Sequence, residues 1–159
     1  MNGNVEFEGE WMNNHGIIEN ENDLKNDLID PMSIKEFVIG DELFNDDNIT
    51  SLYFPPLLVR LKRIEIGNDY FKNVREFVID GLECLESVKI GEYCFRISYD
   101  ERDDGICRIT NCPNLRQLEI GDYSCEAFQS FETSNLDSIQ SINFGWCCFS
   151  YADCSLKGE

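Results

Sequence analysis

The sequence predicts a repeat solenoid that is mainly β, a right-handed coil of short parallel strands with little helix, and three observations carry that prediction. One frame recurs five times: I-G-D-E-L-F around Gly40, I-G-N-D-Y-F around Gly67, I-G-E-Y-C-F around Gly91, I-G-D-Y-S-C around Gly121 and F-G-W-C-C-F around Gly145. The glycines stand 27, 24, 30 and 24 residues apart. At that period a single unit cannot bury its own apolar face and must stack on its neighbours. Before each Gly the apolar residues alternate, which is the period of a half-buried strand.

Taken in order, residues 1–30 show no repeat match, and residues 1–50 hold 13 Asp plus Glu against Lys25 and Lys35 alone. This acidic N-terminal segment reads as partly disordered, before about residue 20, or as capping the first coil. In the capping form, E-N-E-N-D-L-K-N-D-L-I-D makes a short helix through Leu24, Leu28 and Ile29. The solenoid then covers residues 31–159. One, three and six places before the glycines stand Ile39, Phe37 and Ile34; Ile66, Ile64 and Leu61; Ile90, Val88 and Leu85; Ile120, Leu118 and Leu115; and Phe144, Ile142 and Ile139. Each set is one short strand ending at Gly, built from residues that favour a pleated, half-buried surface. A second extended segment lies between glycines: Phe77, Ile79 and Leu82; Cys107, Ile109 and Cys112; Phe131, Thr133 and Leu136. A turn-prone Gly or Asn interrupts each of these, so every unit has two sides.

The stretches L-K-R-I-E-I-G-N-D-Y-F from Leu61, L-E-S-V-K-I-G-E-Y-C-F from Leu85 and L-R-Q-L-E-I-G-D-Y-S-C from Leu115 resemble the leucine-rich-repeat frame L-x-x-L-x-L-x-x-N/C-x-L. They are most similar to its irregular BspA-like branch, in which a G-x-x-x-F-type turn follows the strand. The resemblance covers residues 31–159 and implies a leucine-rich-repeat-like coil of about five 24–30-residue repeats. It departs from the regular pattern at the ladder Asn, where Glu42, Asp69, Tyr93, Tyr123 and Cys147 stand, and the turn geometry there stays open. Cys154, Leu156 and Gly158 repeat the second segment of a unit, so the solenoid reads as truncated in mid-coil.

Composition narrows the function. A net charge of -18 repels phosphate backbones and anionic headgroups, which disfavours nucleic-acid and membrane-surface roles. Neither a signal peptide nor a transmembrane segment is seen, and a cytoplasmic location is expected. The eight cysteines contain no C-x-x-C pair. Cys125 takes the place of Phe44, Phe71, Phe95 and Phe149, Cys112 that of Leu82 and Leu136, and Cys107 and Cys154 that of Phe77 and Phe131. They read as buried thiols in core positions.

No enzyme is expected. The single histidine, His15, lies outside the repeats, so general-base and triad chemistry lack a positioned imidazole. The glycines sit a repeat apart with no G-K-[ST] following, and Asp100, Arg102, Asp104 and Gly105 echo a calcium loop but have Asn111 where the bidentate Glu belongs. Neither a catalytic site, a metal site nor a cofactor is predicted.

Two surfaces qualify for partner binding. Outward strand positions place Glu65, Lys89, Glu119 and Asn143 in one row and Arg63 and Gln117 in another, either a self-neutralised face or a polar platform. The expanded repeats add three and six residues after Phe44 and Phe95, bringing Asp46, Asp47, Asp100, Glu101, Asp103 and Asp104 to one edge. Such an edge is either a solvated loop pair or an acidic ridge for a basic protein segment. The function expected is a non-catalytic protein-protein interaction module, and the alternative is a fragment of a BspA-like cell-surface adhesion protein. Homodimerisation through an uncapped C-terminal coil is a further expectation.

Overall fold

The computed structural model describes residues 4–5, 16–18, 31–39, 50–97 and 105–157. Its first strands are β1 (Asn4–Val5), β2 (Gly16–Ile18), β3 (Glu36–Ile39), β4 (Ser51–Phe54), β5 (Arg63–Ile66) and β6 (Glu76–Asp80). There follow β7 (Ser87–Ile90), β8 (Ile106–Thr110), β9 (Gln117–Ile120), β10 (Ser130–Ser134), β11 (Ser141–Phe144) and β12 (Asp153–Lys157). The sole helical element among the described residues is a 3-10 turn at Pro31–Ser33.

The strands form two parallel sheets. One, the glycine sheet, has the order β11-β9-β7-β5-β3-β2; the other, the return sheet, has the order β1-β4-β6-β8-β10-β12. From β3 the chain passes alternately between them, so that β3, β5, β7, β9 and β11 mark four complete turns of a parallel β-solenoid. Register follows the sequence frame: Ile39, Ile66, Ile90, Ile120 and Phe144 pair in succession, as do Phe77, Cys107 and Phe131 in the return sheet.

Strands β3 to β10 each bury one face, because both sheets turn their apolar sides to a shared interior. Positions one, three and six before Gly are almost wholly buried from Ile34 through Ile120. In the last coil Ile139 and Ile142 are only partly buried and Phe144 is 41% exposed, since these coils bury a side chain from both neighbours. Aromatic rings run along the interior in edge-to-face and tilted contacts: Phe37 with Phe54 at 4.9 Å, Phe77 with Phe95 at 4.9 Å and Phe131 with Phe149 at 4.9 Å. Cys107, Cys112 and Cys125 are buried in place of Phe or Leu, as the frame predicts, and Cys94 is buried beside them. Cys84, by contrast, is exposed.

The frame glycines are required by close approach. An added Cβ at Gly91 would lie 2.5 Å from Gly67 O; at Gly121, 2.6 Å from Gly91 C; at Gly145, 2.6 Å from Gly121 C. The glycines therefore stack in a column where successive backbones touch. After each of them the chain turns through two left-handed residues, at the second and fourth places: Asp69 and Phe71, Tyr93 and Phe95, Tyr123 and Cys125, Cys147 and Phe149. That conformation costs a non-glycine residue about 1–2 kcal/mol. Ladders of backbone bonds offset it: Asp69 N–H donates to Glu92 O (2.9 Å), Tyr93 N–H to Asp122 O (2.9 Å) and Tyr123 N–H to Trp146 O (2.7 Å). On the opposite edge Gly81, Asn111 and Asn135 are also left-handed, and Asn135 Nδ2 donates to Asn111 Oδ1 (2.6 Å).

Two features differ from the repeat frame. The 27-residue unit was expected to carry all three extra residues after Phe44. Because Leu52 pairs with Phe77 and Phe54 with Ile79, one of the three instead falls in the return turn Pro55–Leu57. A turn with two prolines cannot adopt the two-residue Asp-Gly form used at Asp80 and Gly81. At the N-terminus, β1 and β2 extend the return and glycine sheets by pairing with β4 and β3, an addition the frame did not anticipate. The short helix expected through Leu24, Leu28 and Ile29 lies outside the described residues.

Candidate functional site

On the outer face of the glycine sheet, Glu65, Lys89, Glu119 and Asn143 are direct neighbours in one row, as expected. Arg63 and Gln117 share the second row, separated by Ser87. Much of this face is occupied with itself. Arg63 pairs with Glu65 and, at 3.8 Å, with Glu36, while Lys62 Nζ lies 2.9 Å from Glu86 and holds that carboxyl below its usual range. Lys35, Lys62, Arg63, Lys89 and Arg116 stand against Glu36, Glu65, Glu86 and Glu119, so the face is close to neutral on a chain of net charge -18. The outer return sheet has a similar pair, Arg108 with Glu132 at 3.0 Å. The acidity must reside elsewhere.

Asp46, Asp47, Asp100, Glu101, Asp103 and Asp104 lie outside the described residues. The strands flanking them still define their connectivity: both acidic stretches join a strand of the glycine sheet to one of the return sheet, β3 to β4 and β7 to β8.

That same edge, where the chain turns after each frame Gly, carries a feature the frame did not reveal. Tyr93 and Tyr123, both left-handed, project side by side and stack with centroids 5.3 Å apart and planes 3° from parallel. Trp146 meets Tyr123 edge-to-face at 5.9 Å and is 71% exposed. The Arg96 guanidinium lies over the Tyr93 ring, 5.5 Å from its centroid. Successive coils are about 4.8 Å apart, close to the stacking distance of aromatic rings, so identical turns bring these side chains together without further adjustment.

Carboxylates border the ladder. Asp122 Oδ1 accepts the Trp146 backbone N–H (2.7 Å), Glu92 is exposed, and Glu126 lies near Tyr123. Desolvation, with the negative neighbours Asp122 and Glu126 adding to it, pushes the Tyr123 phenol above its ordinary value. The edge is thus aromatic and acidic together.

No family model, curated protein or solved structure matches the chain.

Beneath the ladder the turns are held by a column three places after the glycines, with Tyr70, Cys94 and Ser124 buried and Cys148 partly buried. Ser124 Oγ accepts the Cys94 N–H (2.9 Å) and donates to Gly91 O (2.7 Å). Cys94 Sγ donates to Gly67 O (3.1 Å) and Cys148 Sγ to Gly121 O (2.9 Å), so thiol and hydroxyl perform one task. Burial pushes the Cys94 thiol up to about 12 and Cys112 to about 11, with Cys107 and Cys125 also raised, which leaves them protonated and poor nucleophiles. Among the described residues no group of three or more His, Cys, Asp or Glu could hold a metal ion. Nor is any described helix long and apolar enough to cross a membrane.

Proposed function

We propose that this chain is a non-catalytic protein-interaction module that receives a basic segment of another protein along the turn edge. The observation that carries the reading is the ladder of half-buried Tyr93 and Tyr123 and exposed Trp146, with Glu92, Asp122 and Glu126 beside it. Aromatic side chains are enriched at the centres of protein interfaces, and a rigid turn presents them at small entropic cost. The net charge of -18 favours a basic partner and accelerates its approach. The two long connections, whose acidic residues lie outside the described residues, likewise run from a strand of the glycine sheet to one of the return sheet. Five in-frame strand-then-glycine copies support classing the chain as a leucine-rich-repeat-like protein of the irregular BspA-like type.

Capture of blocked oligo-arginine and oligo-lysine peptides by the immobilised chain, with oligo-glutamate as control, tests the reading. A triple variant Glu92→Gln, Asp122→Asn, Glu126→Gln should weaken capture several-fold at low salt, with the difference shrinking as salt screens the charges. Equal capture by the variant at low salt would count against the edge as the binding surface.

A further inference from the structure

The aromatic ladder has two ends, and the chain treats them differently. Five places after the frame glycines stand Lys72, Arg96, Glu126 and Ser150. In the coil of Tyr93 that position supplies Arg96, whose guanidinium covers the ring. In the next two coils the same position supplies Glu126 and Ser150, so no cation comes from it to Tyr123 or Trp146. Tyr123 is stacked on Tyr93, while the Trp146 indole remains open to solvent over most of its surface. Asp122, whose Oδ1 accepts the Trp146 backbone N–H, holds a carboxylate against the backbone of the residue that carries that indole.

We propose that Trp146 and Asp122 form a site for an arginine guanidinium of the partner, which completes the open end of the ladder as Arg96 completes the closed one. This rests on the turn edge being the binding edge and adds the group it recognises. Indole is the strongest of the aromatic cation acceptors. A guanidinium lies flat on a ring while its planar N–H fork donates in bidentate fashion to a carboxylate, a geometry that an ammonium, lacking the fork, does not offer.

The test uses the full chain with Trp11→Phe, so that fluorescence reports Trp146 alone. Three blocked peptides, identical except for Arg, Lys or the neutral isostere citrulline at one position in a Lys-rich sequence, are titrated. The Arg peptide is expected to perturb Trp146 emission and bind about fivefold tighter than the Lys peptide, with citrulline weakest. Trp146→Leu should bring Arg down to the level of Lys, Asp122→Asn should lower it in part, and Arg96→Gln should leave the Arg preference intact. Trp146 is an exposed side chain, so its replacement leaves the core in place, and a circular-dichroism melt of each variant verifies folding. If Arg and Lys bind equally and Trp146→Leu changes neither, while capture stays salt-dependent, the guanidinium site is refuted and the acidic edge stands. If no basic peptide binds, both readings fall.

Discussion

Gly121→Ala should split the solenoid between two coils. The new Cβ would lie 2.6 Å from Gly91 C, 2.7 Å from Gly91 O and 2.8 Å from Glu92 N, all backbone atoms that cannot rotate away. Restoring ordinary contact requires the coils to part locally by about 1 Å, given the normal separation of packed carbon atoms. The bonds there are Gly121 N–H to Ile90 O at 2.8 Å and Tyr93 N–H to Asp122 O at 2.9 Å. Such a displacement breaks both, at about 1 kcal/mol each, and adds the strain of overpacking, typically about 1–3 kcal/mol. The lower entropy of the unfolded Ala chain returns about 0.4–1 kcal/mol. The net expectation is a loss of about 3 kcal/mol, from the sum of these terms.

Gly81 supplies the control, because it needs glycine for a different reason. Its φ is +72°, and a Cβ there meets only Pro56 at 3.5 Å, an ordinary contact. Gly81→Ala should therefore cost about 1–2 kcal/mol, the left-handed penalty alone. Gly81→Asn should cost less, since Asn111 and Asn135 adopt this conformation at the same place in later coils. Urea denaturation followed by circular dichroism, with Trp146 fluorescence in a Trp11→Phe background reporting the C-terminal coils, gives the ranking. A Gly121→Ala protein within about 1 kcal/mol of the parent, or one more stable than Gly81→Ala, would refute the glycine-column argument.

Ser124→Ala strands the buried Cys94 N–H and Gly91 carbonyl and should destabilise by about 2 kcal/mol, whereas Ser124→Cys should recover most of this because Cys94 and Cys148 donate to the equivalent carbonyls; urea midpoints decide it. Thiol labelling of the native protein near neutral pH should modify Cys84 quickly and leave Cys94, Cys107, Cys112 and Cys125 untouched until the chain unfolds, read by peptide mass mapping. Stability should also fall in alkali. Cys112 ionises near 9.0 when unfolded and near 11 when folded, so its contribution is full below pH 9 and is lost as pH rises to 11. Cys112→Val should flatten that decline, on the order of 2 kcal/mol, in a series of urea midpoints against pH.

The two sides of each coil were legible because burial alternates along a strand and the pattern is written in consecutive residues. Ile64 and Ile66, or Leu118 and Ile120, announce an inward face with no knowledge of what they touch. The rows of Glu65, Lys89 and Glu119 followed from the same count. The aromatic ladder was less accessible. Tyr93 and Tyr123 share a frame position, which was a usable signal, but Trp146 sits one place earlier in its unit and joins them only through the geometry of the turn. The third extra residue of the 27-residue unit was misplaced because glycine-to-glycine spacing measures a whole coil and does not say in which of its two turns a residue falls.

By itself, then, the sequence determined the period, the two strands of each coil, the core positions and the glycines between them, all properties of short chain segments repeated at a fixed interval. Only the tertiary structure decided why glycine is needed, which cysteine stays exposed, how the sheet charges pair, and that an acidic edge carries an aromatic ladder. These depend on atoms of neighbouring coils, 24 or 30 residues apart in sequence, being brought within a few ångströms of one another. Stacking does that, and no pattern within one repeat records the distances it produces.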